Sequence, residues 1–329
     1  MINISKEAKK VLGIIRQYGP IRSTELIKML GLSSKNSHKH LAKLLDERLV
    51  KKTGSVPRVF YVVDNELENI NFDSLDKDDQ LIEQNYIYVS PSGEISRGIS
   101  GFQIWCRKNQ FNLEKEKEEF IQKLKISQKF KNKKSGLISA KKIILSGKEK
   151  VYLDDIFFSD FYTIGHFGKT KLGQLVYLGK SSQNKDLILE IAKLTKSGIK
   201  DIIEKYNIGL ICFIPPTIDR KVQFLDVFEK YLNLNLAKIN AVKIDSPTKI
   251  PQKTLRKLED RIINAQTTIA INPNQTINSN ILIIDDATGS GATLNETAKK
   301  IRTITDKKIK IIGYSVVGSF KGFDVISEV

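Results

Sequence analysis

The stretch Ile281-Leu282-Ile283-Ile284-Asp285-Asp286-Ala287-Thr288-Gly289-Ser290-Gly291-Ala292-Thr293 constrains the fold more than any other part of the chain. Four consecutive aliphatic residues predict a strand buried on both faces, as in a parallel sheet. Two carboxylates then stand at the strand's carboxyl end, where open α/β sheets place their ligands. The Thr/Gly/Ser/Gly loop leads into a helical pattern carried by Leu294, Ala298 and Ile301. Small residues let backbone N–H groups approach an anion, hydroxyls add donors, and the helix N-terminus adds a favourable dipole. A ligand with a phosphate at one end and vicinal hydroxyls at the other fits both halves, and a sugar phosphate has both.

These thirteen residues resemble the 5-phosphoribosyl-1-pyrophosphate (PRPP) motif of type I phosphoribosyltransferases, in which hydrophobics, two acids and a phosphate loop follow in that order. The resemblance implies that Asp285 and Asp286 bind the ribose hydroxyls. It also implies that Ala287, Thr288, Gly289, Ser290, Gly291, Ala292 and Thr293 wrap the 5′-phosphate. Gly289-Ser290 stands where the family usually has Thr-Thr, so one hydroxyl donor is kept and one is lost.

A second apolar run, Leu210 to Ile214, predicts another buried strand ahead of Pro215-Pro216-Thr217-Ile218-Asp219-Arg220-Lys221. A proline-stiffened loop with two cations before a helix (Phe224 to Leu232) suits a pyrophosphate grip through Pro215, Pro216, Thr217, Arg220 and Lys221. Here the likeness narrows to the competence protein F (ComF) branch of phosphoribosyltransferases and covers about residues 155–329. Gln252, Leu255, Arg261 and Asn264 resemble that branch's Gln-x-x-Leu-x-x-x-x-Arg-x-x-Asn run, with one residue more between Leu255 and Arg261, and the resemblance implies that Gln252 and Arg261 lie on a flexible loop over the ligand. Two features depart from the branch: its four-cysteine zinc module is missing, and the segment after its proline loop is reduced to Val222-Gln223-Phe224. Gly165 to Thr170 is not an ATP-binding loop, because Thr163 stands where the first glycine is needed. Lys169 and Lys180 remain candidates for a ligand contact in this region.

At the other end, Ala8, Val11, Leu12 and Ile15 have the spacing of an amphipathic helix over residues 5–18. Tyr18-Gly19-Pro20 stops it. Ser23 is placed to cap a second helix, and Ser33 or Ser34 a third with Leu41, Leu44 and Leu45 inward. Two β-type segments, Leu49 to Lys52 and Val59 to Val63, follow across Gly54-Ser55-Val56-Pro57. Three helices and a hairpin resemble the winged helix-turn-helix of bacterial regulators, most clearly from Ser34 to Val50. Lys35, Asn36, His38, Lys39 and Lys43 then face solvent, with Lys51, Lys52 and Arg58 on the wing, as donors to double-stranded DNA. Charge supports this: residues 1–64 hold 13 Lys/Arg against 5 Asp/Glu, a net +8 of the chain's +17.

Between these ends, residues 65–80 read as an acidic linker and 81–150 as a mainly helical spacer or dimerisation segment. Within the latter, Tyr86 to Val89 and Lys142 to Leu145 are predicted strands, as is Lys150 to Leu153. Trp105 is read as a core anchor. The expected domains are thus 1–64, a winged helix-turn-helix, and 151–329, an α/β phosphoribosyltransferase-like parallel sheet flanked by helices. Cys106 and Cys212 lack metal-site spacing, and three histidines do not make a metal centre. Residues 1–10 have no apolar core of signal-peptide type and no run approaches a membrane span, so no membrane contact is expected; cysteine usage points to a reducing cytoplasm, and a homodimer is the expected assembly. The resemblance implies Mg²⁺ bound through PRPP, but it assigns no catalytic acid or base. Two functions follow. One is a PRPP-sensing DNA-binding transcriptional regulator, similar to the purine repressor in pairing these two domain types. The other is an active transferase of the phosphoribosyl group to a base or amine, localised or regulated by its N-terminal domain.

Overall fold

The computed structural model of the chain describes residues 5–47, 49–63, 76–141, 150–244, 254–255, 257–306 and 308–319. Its packing separates into two units, residues 1–84 with 88–111, and residues 85–87 with 112–329. The segment expected as a separate module over 81–150 is therefore divided between them. The body of the acidic linker, residues 65–75, and the strand expected at Lys142 to Leu145 lie outside the described residues.

In the first unit, α1 (Lys6–Tyr18), α2 (Ser23–Leu30) and α3 (Ser34–Asp46) precede the antiparallel pair β1 (Val50–Ser55) and β2 (Arg58–Val63). Ser5 and Ser33 cap α1 and α3, accepting from the backbone N–H groups of Ala8 and Asn36. Ser23 does not cap α2. It is already helical, and Glu25 closes the helix instead by accepting from the Arg22 N–H at 3.1 Å. Ala8, Val11, Leu12, Ile15, Leu26, Leu41 and Leu44 meet Val50 and Tyr61 in one core. Ile21 and Tyr61 exchange both backbone hydrogen bonds, fastening the chain before α2 to the hairpin. The hairpin runs further than the sequence indicates and turns only at Val56-Pro57. Gly54 permits this, because its φ is +83° and a Cβ there would meet the Arg58 carbonyl.

Ser37 is fully buried in α3, and its hydroxyl has no hydrogen-bond partner among the described residues. An unpaired buried hydroxyl costs about 1–3 kcal/mol. Ser37→Ala should therefore raise the midpoint of thermal unfolding by a few degrees, whereas a drop would show that the hydroxyl has a partner.

Apart from residues 85–87, the unit continues through α4 (Lys77–Asn85), β3 (Ile87–Val89), β4 (Ile95–Arg97) and α5 (Gly98–Lys108). Residues 77–80 are thus helical rather than linker. Trp105 on α5 is half-buried between Phe102 and Phe111, with ring centroids 5.7 and 5.1 Å away.

The second unit opens with α6 (Leu113–Gln128), capped by Asn112 and burying Phe120, Ile121 and Leu124. It is built on β5 (Ile138–Ser139), β6 (Asp155–Phe161), β7 (Ile208–Phe213), β8 (Ala237–Lys238), β11 (Asn280–Thr288) and β12 (Ile311–Gly318). Their spatial order is β5-β6-β12-β11-β7-β8, parallel throughout except for β5. A short antiparallel pair, β9 (Ala241–Lys243) and β10 (Ile269–Ile271), stands apart from this sheet. The helices α7 (Lys171–Ser181), α8 (Lys185–Tyr206), α9 (Phe224–Leu232), α10 (Leu258–Thr268) and α11 (Ala292–Arg302) make up the rest. The predicted apolar strand is central: Ile281 to Ile284 have no exposed surface, and β12 and β7 pair with β11 on its two sides.

Lys150 to Leu153 is not a strand. Asn295 of α11 accepts from the Tyr152 N–H and donates to the Lys150 carbonyl, so a side chain does what a ladder partner would. The strand begins after Asp154, whose carboxylate accepts from the Ile311 N–H at 2.6 Å and pairs with Arg302. Among the described residues no helix is long and apolar enough to cross a membrane.

Candidate functional site

Strand β11 outlasts β7: its last pairing there is Ile284 with Phe213, whereas it stays paired with β12 as far as Thr288. From β7 the chain proceeds to β8 on one side, and from β11 to β12 on the other. The strand order therefore reverses between β7 and β11, and the loops leaving their carboxyl ends diverge there. Open α/β sheets bind ligands in such a crevice.

A cavity of about 230 Å³ fills this crevice. Liquid water occupies ~30 Å³ per molecule, so the space suits a small ligand rather than one ordered water. Asp285, Asp286 and the whole of Ala287 to Thr293 line it, with Pro215, Pro216, Thr217 and Arg220 from the other loop. Gly291, at φ +67°, turns the loop into the N-terminus of α11. That terminus and the small residues before it direct backbone donors toward the space. Arg261 of α10 also lines the cavity. Its guanidinium is buried, Nε donates to the Leu255 carbonyl at 2.8 Å, and burial lowers its pKa. Of the remaining candidates, Lys221 is exposed and outside the lining, and Gln252 lies outside the described residues. Lys169 stands over the Tyr177 ring at 4.3 Å and is also outside the lining.

Two lysines shape the acid pair. Lys180, in the last turn of α7, places Nζ 2.9 Å from Asp286 Oδ2. Lys243, at the end of β9, is half-buried and attracts Asp285 through space. Burial first, and then neighbouring Asp286, raise the Asp285 carboxyl to about 7. Lys180, the Asp286 N–H (2.8 Å from Asp285 Oδ1) and Lys243 act against that rise. Lys243 is not apparent in the sequence: it occupies a three-residue strand far from either motif. Four cations (Lys180, Arg220, Lys243, Arg261) face three carboxylates (Asp226, Asp285, Asp286) around the cavity. With the helix terminus, this arrangement can hold an anion at two ends and accept hydroxyl donors between them.

The family model described as PRTase-CE matches residues 185–329, which include both loops and the acid pair. This is a phosphoribosyltransferase-like domain. A hypoxanthine phosphoribosyltransferase of Staphylococcus aureus is similar at 15% identity over 43% of this chain and 80% of its own, with a TM-score of 0.21. No curated protein matches the sequence.

The phosphoribosyltransferase-like domain does not present its acid pair as a protein-held site for Mg²⁺. A hard cation needs carboxylate oxygens open to it, whereas an ammonium already contacts Asp286 and a second lysine acts on Asp285. Elsewhere in the same unit His166 bridges two carboxylates of α6, with Nε2 2.8 Å from Glu116 and Nδ1 3.4 Å from Glu119.

On the first unit Lys35, Asn36, His38, Lys39 and Lys43 are all exposed on α3. Lys52 and Arg58 are exposed on the hairpin, while Lys51 is held by Glu94 at 2.8 Å. Lys51 therefore has an acidic competitor for any anionic partner.

Proposed function

We propose that the chain is a DNA-binding transcriptional regulator whose phosphoribosyltransferase-like domain senses PRPP or a related phosphoribosyl ligand. The observation that carries the ligand half is the single cavity that gathers Asp285, Asp286, the Ala287–Thr293 loop, Arg220 and Arg261. In this reading the Thr288–Thr293 backbone holds the 5′-phosphate, the carboxylates accept from the ribose hydroxyls, and Arg220 and Arg261 meet the pyrophosphate. The DNA half rests on three helices and a hairpin whose exposed helix face carries Lys35, Asn36, His38, Lys39 and Lys43. A winged-helix recognition surface would need such a composition, which supports this reading. A homodimer would present two such helices to two half-sites. The reducing cytoplasm is the compartment proposed, in keeping with two buried thiols, Cys106 and Cys212.

Duplex DNA should bind the full chain with a steep salt dependence. Neutralising Lys35, Lys39 and Lys43 together should weaken binding and flatten the log–log salt slope by about 3, one for each lost phosphate contact. Gel shifts at several salt concentrations measure both. No shift at low salt would favour a protein partner for this surface.

The transferase reading is favoured by one observation: both anion-binding ends of the cavity are retained. Displacement of pyrophosphate from C1 passes through a cationic sugar, which such a site stabilises mainly by position and charge. Incubation with PRPP and a panel of bases and amines, with and without Mg²⁺, separates the readings. Pyrophosphate release with one acceptor establishes the enzyme, and none with any acceptor leaves the sensor.

A further inference from the structure

We infer that Lys180 takes the place of a divalent cation beside the acid pair, so that phosphoribosyl ligands bind this cavity without Mg²⁺. The inference rests on the phosphoribosyl reading of the site. A metal ion bridging such a ligand brings positive charge to the junction of ribose hydroxyls and pyrophosphate. In this cavity that charge belongs to the protein. Lys180 Nζ lies 2.9 Å from Asp286 Oδ2, and both side chains are largely withdrawn from solvent, at 21% and 17% exposure. Lys180 shares the cavity wall with the Thr288–Thr293 loop and with Arg220 of the other loop. An ammonium carries three donors in a compact charge, so it can serve a carboxylate and ligand oxygens together. Lys243 adds a second positive charge acting on Asp285.

A divalent ion arriving here would be repelled by two lysines, and could bind Asp286 directly only by displacing Lys180. Magnesium also gives up its water reluctantly. An anionic ligand is instead attracted by the four cations of the cavity wall, Lys180, Lys243, Arg220 and Arg261. Lys180 lies upstream of the stretch that matches the family model, so that match neither supplies this lysine nor predicts its contact.

Calorimetric titration of the full chain with PRPP, in EDTA and in excess Mg²⁺, tests the inference. The wild-type dissociation constants should agree within about threefold. Lys180→Ala should bind at least about tenfold more weakly in EDTA and recover in Mg²⁺, because removing the ammonium opens Asp286 to the metal. Recovery in Mg²⁺ also reports that the variant is folded. Wild-type binding that needs Mg²⁺ would overturn the role of Lys180 and leave the ligand reading intact. So would a Lys180→Ala variant that keeps wild-type affinity in EDTA, or one that binds in neither condition. Absence of wild-type binding in both conditions would remove the ligand reading, and this inference with it.

Discussion

Replacing Asp285 and Asp286 together by Ala is expected to weaken PRPP binding by about 10²–10⁴-fold. Hydrogen bonds to a charged group contribute about 1.5–3 kcal/mol each, and 1.4 kcal/mol is a factor of ten. The two carboxylates sit side by side at the end of β11, within the cavity lining, where vicinal hydroxyls can donate to them. The same substitution leaves Lys180, Lys243, Arg220 and Arg261 in place and removes two acids from among them. Inorganic pyrophosphate should therefore bind the variant at least as well as it binds the wild type. Calorimetry with both ligands separates the hydroxyl contribution from the anion contribution. Unchanged PRPP affinity would contradict the placement of the ribose, and loss of pyrophosphate affinity would point to a collapsed site.

Asp285→Asn alone is expected to stabilise the fold, and more so at pH 8 than at pH 5. Burial first, and then Asp286, raise the Asp285 carboxyl to about 7, whereas an unfolded Asp releases its proton near about 3.9. Between those values the folded chain holds a proton that the unfolded chain has lost, so stability falls as pH rises. The contribution is complete below about pH 3.9 and gone above about pH 7. Asparagine cannot ionise and avoids the whole penalty. The gain should be small at pH 5 and reach a plateau above pH 7, on the order of 5 °C in unfolding midpoint for a domain of this size. Thermal melts of both proteins at pH 5 and pH 8 measure it. Equal shifts at the two pH values would contradict the raised carboxyl. A site kept at a cost to stability is common where ligand binding needs a destabilised group.

The centre of the sheet was legible because Ile281 to Ile284 are buried on both faces, a condition that local composition alone can signal. The acid pair and its loop followed from their position at that strand's end. Lys243 was not legible, since a lone lysine on a three-residue strand acquires meaning only once it shares a cavity with Asp285. Lys180 is a candidate from the sequence, yet its partner Asp286 is 106 positions away, a separation no periodicity reports. Adjacent cations diverged: Arg220 lines the cavity and Lys221 is exposed, a difference set by the loop's path. Lys150 to Leu153 has the composition of a strand but fails to form one because Asn295, a distant side chain, takes its backbone groups. In the first unit Ser23 does not cap α2 because the helix starts one residue earlier than expected, with Arg22 at the N-cap and Glu25 accepting from its N–H. Helix faces fared better: Ala8, Val11, Leu12 and Ile15 are all buried, because their spacing fixes a face whatever they pack against.

The central proposal is that PRPP and DNA act on one another through this chain. Linkage makes the effect reciprocal: if PRPP changes DNA affinity by some factor, DNA changes PRPP affinity by the same factor. A typical coupling is ~1–3 kcal/mol, or about 5–150-fold. Direct competition between two anions for one basic surface would also lower DNA affinity. The Asp285→Ala, Asp286→Ala protein distinguishes the two, because it should lose the PRPP effect while keeping DNA binding in the absence of PRPP. The most direct measurement is a DNA titration of the full chain with and without saturating PRPP. Curves displaced by about 5–150-fold, matched by the same displacement of PRPP binding by DNA, are the predicted result. Two superimposable DNA curves would contradict the regulator and leave the transferase.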